Sequence, residues 1–215
     1  MTECNGMWLE LALILIVFLG VIILGNNRLG TIIQIFALQS FVLSTTPLLI
    51  YPGLHAVAIM IVTIILKVIL MPSLLFWAMR HVSIRWEVQP LIGYGKTLIL
   101  GGFLMSVAFL ISSKLELPAK EISNLLIPSA FSVVMMGFLL LVSRFKAITQ
   151  VIGYLVMENG IFLFALLLLE KTPLLVEMGI LLDIFVGVLV MGIVVNHINR
   201  EFGSGSTINL TNLKD

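Results

Sequence analysis

Apolar residues run along this chain in long blocks separated by short polar clusters, without the strict alternation of a half-buried strand. Seven blocks of about 17 to 24 residues can be drawn, covering about 8–24, 30–50, 54–77, 91–111, 122–142, 148–169 and 174–195. At about 1.5 Å of rise per residue, each is long enough as a helix to cross a hydrocarbon core about 30 Å thick. The breaks carry turn chemistry. Asn26, Asn27 and Arg28 close the first turn, and Pro47, Pro52 and Gly53 are expected to break the chain before the third block. From Ala78 to Pro90, Arg80, His81, Arg85, Trp86 and Glu87 mix with apolar side chains, a composition suited to the headgroup level. Ser112 to Glu121 reads as a loop, Arg144 and Lys146 mark a turn, and Glu170 to Pro173 form a tight connection. Only Glu3 precedes the first block and no basic n-region is present, so a permanent first helix is expected rather than a cleaved signal peptide. The small-residue polar stretch GSGSTINLTNLKD is expected to be a mobile tail.

Composition settles the class. With 60% hydrophobic and 11% charged residues, and a mean hydropathy of +1.18, the chain lies far from a soluble domain, whose charged fraction is about 25%. The fold class predicted is an all-α integral membrane protein of about seven transmembrane helices. A membrane β-barrel is excluded by the missing alternation. No basic patch supports nucleic-acid binding, and the single cysteine, Cys4, cannot form an internal disulfide. Orientation follows from the basic residues in short loops. Arg28, Arg80, Arg85, Lys96, Arg144, Lys146, Arg200 and Lys214 fall on one side, against Lys114, Lys120 and Lys171 on the other. The N-terminus is therefore expected outside and the C-terminus in the cytoplasm.

The twelfth basic residue, Lys67, lies inside a block, and so do two acids, Glu158 and Asp183. A charge at the bilayer centre costs about 2.5–3.5 kcal/mol on insertion scales, so it requires a partner, a cavity or a function. Gln39, Lys67, Glu158 and Asp183 each fall within about one helical turn of the middle of their own blocks. Two acids and a base at one depth make a candidate lateral proton relay, because low dielectric pushes carboxyl and amine pKa values toward each other. The bland alternative is an ion pair that locks helices together. Gln39 fits either a hydrogen bond between helices or hydration of the relay. Gly179, Asp183 and Gly187 lie at i, i+4 and i+8, so the acid sits between glycines that would admit a neighbouring helix. Tyr154 stands one turn before Glu158, with Asn159 and Gly160 beside it.

The stretches YLVMENGIFLFALLLLE and EMGILLDIFVGVLVMGIV resemble the hydrogenase-4 component E family, membrane subunits of formate-hydrogenlyase-type, group 4 nickel-iron hydrogenases. The last three blocks also resemble the K subunit of respiratory complex I and the C subunit of Mrp-type cation/proton antiporters. In the K-type family two successive helices each carry a functional intramembrane carboxylate, and Glu158 and Asp183 match them. The resemblance implies an N-terminal four-helix region over 1–121, a K-like three-helix region over 122–199 and a cytoplasmic tail over 200–215. It departs from the K pattern in three ways. The second acid is Asp rather than Glu, the loop between the acids is shorter, and four extra blocks precede, so Lys67 has no K-type counterpart. What the resemblance implies is a complex I-like, cofactor-free subunit of the bacterial or archaeal inner membrane. Its partners would be antiporter-like membrane subunits and peripheral hydrogenase subunits, which would hold the nickel-iron centre and the iron-sulfur clusters.

Other motifs carry little. PLIGYGKT ends like a phosphate-binding loop, but Pro90 stands where glycine is required and a membrane block follows. His55, His81 and His197 lie near block ends in separate elements, without metal-ligand spacing. Three functions therefore stand: a proton- or sodium-translocating subunit of an energy-converting hydrogenase, a subunit of a cation/proton antiporter, or a structural scaffold whose charges only hold helices.

Overall fold

The computed structural model describes residues 3–81, 93–114, 123–144, 147–167, 179 and 182–192. The headgroup-level segment beyond His81, the connection at 170–173, His197 and the tail at 200–215 lie outside the described residues, as does the expected 112–121 loop after Lys114, whose first three residues instead continue a helix. The protein is an all-α integral membrane protein. Its helices are α1 (Glu3–Gly25), α2 (Leu29–Ile50), α3 (Leu54–Thr63), a π-helical segment (Ile64–Leu70), α4 (Met71–His81), α5 (Tyr94–Lys114), α6 (Leu126–Ser143), α7 (Ala147–Leu167) and α8 (Leu182–Gly192). α3, the π segment and α4 continue one another as a single span over Leu54–Arg80. Among the described residues six spans are long and apolar enough to cross a membrane, and the described part of α8 is a shorter apolar helix.

Large side chains such as Ile14, Phe18, Phe41, Ile99, Phe103 and Phe138 point outward, the arrangement a bilayer solvates. The core is built from Leu13, Ile16, Phe36, Val133, Leu140, Ile152 and Leu155, drawn from α1, α2, α6 and α7. α6 and α7 are the most intimate pair. A Cβ on Gly137 would collide with the Met157 backbone, one on Gly153 would lie 2.5 Å from Leu141 N, and one on Gly160 2.6 Å from Val134 N. Three glycines thus let the two backbones touch, the usual way membrane helices gain packing where burial from water supplies no drive.

The sequence expectation fails at Pro47, which lies inside α2 rather than breaking the chain before the third span. Proline lacks the N–H that would bond the Leu43 carbonyl. Thr46 Oγ1 supplies the missing donor at 2.7 Å. The helix therefore continues to Ile50, and the break falls at 51–53. The third span also runs past its expected end to His81, with a change of helical type midway. There the Met71 N–H reaches the Leu66 carbonyl, five residues back, as a π turn requires. The segment and the turn before it are rich in Ile, Val and Thr, whose branched side chains crowd the preceding turn of a regular α-helix.

Candidate functional site

Lys67 occupies the middle of the π segment and is 3% exposed. Its Nζ lies 3.1 Å from Glu158 Oε1 on α7 and 3.8 Å from Asp183 Oδ1 on α8, and both acids are as deeply buried as the lysine. The same ammonium donates to Asn159 Oδ1 at 3.4 Å and stands 5.8 Å from the centre of the Phe162 ring. One base therefore faces two acids, an amide oxygen and an aromatic face. Neither oxygen of Glu158, nor Asp183 Oδ1, receives an aligned hydrogen bond. The lysine contacts are charge contacts, and with all three groups ionised the centre carries one excess negative charge.

Polar contacts continue from Asn159 away from the charges. Its Nδ2 donates to Gln39 Oε1 at 3.3 Å and to Ser40 Oγ at 3.2 Å, and Gln39 Nε2 donates to the Ile16 carbonyl at 3.0 Å. The direction of this chain is fixed at both ends. An ammonium can only donate and a carbonyl can only accept, so both amides between them must be oriented as found. Asn159, Gln39 and Ser40 are buried with no measurable exposure, which makes the continuity of their bonding energetically necessary.

All four sequence-predicted residues meet here. Gln39, Lys67, Glu158 and Asp183 come from four separate helical segments, and α1 joins through its Ile16 backbone. Sequence reasoning placed Asn159 beside Glu158 without giving it a role, and it missed Ser40 altogether. The signal was present in Asn159, since an amide beside a midplane acid also needs partners. The expected glycine face on α8 is only half realised. Gly187 packs against Met71 and Leu74, with a Cβ there meeting Leu74 Cδ1 at 3.5 Å, whereas Gly179 has nothing within 4 Å. Among the described residues no helix packs on Gly179, which borders a cavity of about 360 Å³ whose inner end carries Lys67, Glu158 and Asp183.

A second buried cation lies outside the spans. Arg144, expected only to mark a turn, is buried with no measurable exposure and donates through Nη2 to the Leu24 carbonyl at 2.9 Å and the Asn26 carbonyl at 3.4 Å. Its guanidinium lies 5.3 Å from the centre of the Tyr94 ring. Burial pushes its pKa below the ordinary value and the Tyr94 side chain opposes that shift. The contact places a cation at the C-terminal end of α1, where the helix dipole favours it. No group of three or more His, Cys, Asp or Glu suited to hold a metal occurs among the described residues.

Comparison with known proteins places this chain among curated relatives of similar length. It is 29% identical over 206 residues to "Uncharacterized protein Rv0085" of Mycobacterium tuberculosis, covering 93% of each chain. Over 183 residues it is 28% identical to "Hydrogenase-4 component E" of Escherichia coli K12, covering 85% of this chain and 81% of that one. The protein of the same name from Shigella flexneri is matched to the same extent. No family model and no solved structure matches.

Proposed function

We propose that the chain is a membrane-arm subunit of a multisubunit energy-converting hydrogenase, and that its buried charge centre takes part in proton or sodium translocation driven by redox chemistry in other subunits. The similarity to hydrogenase-4 component E supports the complex. The observation that carries the relay is the position of Lys67 Nζ, within 3.1 Å of Glu158 and 3.8 Å of Asp183. An ammonium shared between two carboxylates has two arrangements, one favouring each acid. Protonation of either acid releases Lys67 toward the other, so a proton arriving at one side of the centre changes the proton affinity of the other side. In this reading Glu158 and Asp183 hold the moving proton and Lys67 couples them. Gln39 and Asn159, whose amides do not titrate, fix the lysine and Glu158 at mid-depth.

The subunit would hold no cofactor. Nickel-iron and iron-sulfur centres would belong to peripheral partners, with antiporter-like subunits beside it in the cytoplasmic membrane and the N-terminus outside. Glu158→Gln tests the reading, because it keeps the shape and removes the titration. A relay predicts that the complex assembles at normal stoichiometry and turns over hydrogen while coupled ion transport into inverted vesicles falls by about tenfold or more. Loss of assembly instead would make the centre a structural lock, and retained transport with retained assembly would remove Glu158 from the path.

A further inference from the structure

The cavity beside the charge centre is one-sided. Its walls on the third span run from Lys67 back to Ala58, on α7 from Glu158 forward to Ala165, and around the start of α8 from Asp183 and Leu182 to Gly179 before it. No lining residue lies past the charged residue on any of the three helices. Because α7 runs antiparallel to the other two, all three walls extend toward the same membrane face, the one that carries the 51–53 turn. At about 1.5 Å per residue, the wall from Lys67 to Ala58 is about 13 Å long and reaches to within about one turn of the start of α3.

Beyond the charges, the opposite direction is filled. Met71, one turn past Lys67, is buried, and Met71 Cε lies 3.6 Å from where a Cβ on Gly187 would sit. Val186 on α8 is buried in the same layer, and Leu75 on α4 and Val190 on α8 are buried about one turn further on. The half-realised glycine face now has a reason. Gly187 lets α4 close the sealed side, and Gly179 leaves the open side clear.

We infer that the Lys67–Glu158–Asp183 centre exchanges water and protons with one membrane face only, the face of the 51–53 turn, through this cavity, and that the Met71–Val186 layer separates it from the other face. The inference rests on the relay reading for its purpose but not for its geometry. Glu158 and Asp183, three of whose oxygens are buried without an aligned hydrogen bond, line the inner end of the cavity, and a small side-chain turn toward it would let water supply donors. The rest of the wall is almost wholly apolar, so the charges at its end are what would draw water in. Passage to the far face then requires transfer between the acids or a movement of the apolar layer, which gives a translocating centre its alternation of access.

Cysteine accessibility tests this in native membranes holding the full chain, after Cys4→Ser removes the single natural thiol. Ala58→Cys, Ala165→Cys and Leu182→Cys report the cavity, Val186→Cys the sealed layer, and Ile61→Cys the lipid face. Gly53→Cys marks which vesicle orientation presents the 51–53 turn. A charged, membrane-impermeant methanethiosulfonate reacts with hydrated thiolates and hardly at all with thiols in lipid. The expected result is reaction at the three cavity positions about tenfold or more faster in vesicles where Gly53→Cys reacts, with Val186→Cys and Ile61→Cys inert from either side. Labelling after denaturation confirms that each thiol is present. Reaction of the cavity positions from the opposite face, from neither face, or no faster than Ile61→Cys would overturn the inference, as would ready reaction of Val186→Cys from the opposite face. Failure of the relay reading is distinguishable, since one-sided labelling would persist while Glu158→Gln left transport intact.

Discussion

Lys67 is the residue on which the centre balances. Removing it does not merely delete one contact, because two buried carboxylates would then face each other without a cation. Breaking a buried ion pair from one side costs about 3–5 kcal/mol, whereas replacing all of its members with neutral groups is far less costly. Lys67→Met should therefore lower the stability of the subunit by about that amount, read as a lower unfolding temperature in detergent by fluorescence-detected size exclusion. Combining it with Glu158→Gln and Asp183→Asn should recover most of the loss, a non-additivity expected of residues in one network. If the triple variant is as unstable as Lys67→Met alone, the lysine contributes through its contact with Phe162 and other neighbours and its pairing with the acids does not set the energy. The charged members of this network were legible from the sequence because a midplane charge is expensive and so stands out against an apolar run. Asn159 and Ser40 were not singled out, because uncharged polar residues in a membrane helix are common and their partners lie 92 to 120 positions away.

Between elements, glycine decides how closely helices approach, and the sequence alone does not say which glycines do so. The spacing around Asp183 drew attention to Gly179 and Gly187, but the tightest approach is made by Gly137 on α6 with Gly153 and Gly160 on α7. Gly153 and Gly160 are seven positions apart and share one face of α7, a pattern as visible in sequence as the other and less conspicuous only because no acid lies between them. Gly160→Ala should destabilise the α6–α7 pair by about 1–3 kcal/mol, since the new Cβ would press on the Val134 N and Ala130 carbonyl backbone atoms as well as on the Val134 side chain. Gly179→Ala should change stability by less than about 0.5 kcal/mol, having open space before it. Thermal unfolding of both variants side by side gives the comparison, and equal effects would mean that α8 sits elsewhere. The spans themselves were readable from apolar length. Their interruptions were less so: Pro47 is absorbed by a neighbouring threonine, and a run of branched residues like that around the π segment is too common in membrane helices to announce a π turn by itself.

Across the molecule, side-chain ties hold the helices at two levels. At mid-depth, hydrogen bonds and charges link α1, α2, the π segment, α7 and α8. At the end where α1 finishes and α7 begins, Arg144 joins the C-terminus of α1 to Tyr94 at the start of α5 and to the end of its own helix α6. Gln150 Nε2 adds α7 by donating to the Arg144 carbonyl at 3.0 Å. In a bilayer these ties matter because apolar contact with a neighbouring helix is little better than contact with lipid. Hydrogen bonds to a charged group contribute about 1.5–3 kcal/mol, so Arg144→Met should lower overall stability by about 2 kcal/mol and speed amide exchange locally at the 24–28 turn. Arg144→Lys should recover only part of this, because one compact ammonium cannot reach both carbonyls while lying flat against a ring. The two levels are separable in function. Arg144→Met should leave coupled ion transport per assembled complex unchanged, whereas on the proposed relay Glu158→Gln should lower it by about tenfold or more. Loss of transport in fully assembled Arg144→Met complex would show that this end of the bundle moves with the centre, and that the buried arginine is part of the working cycle.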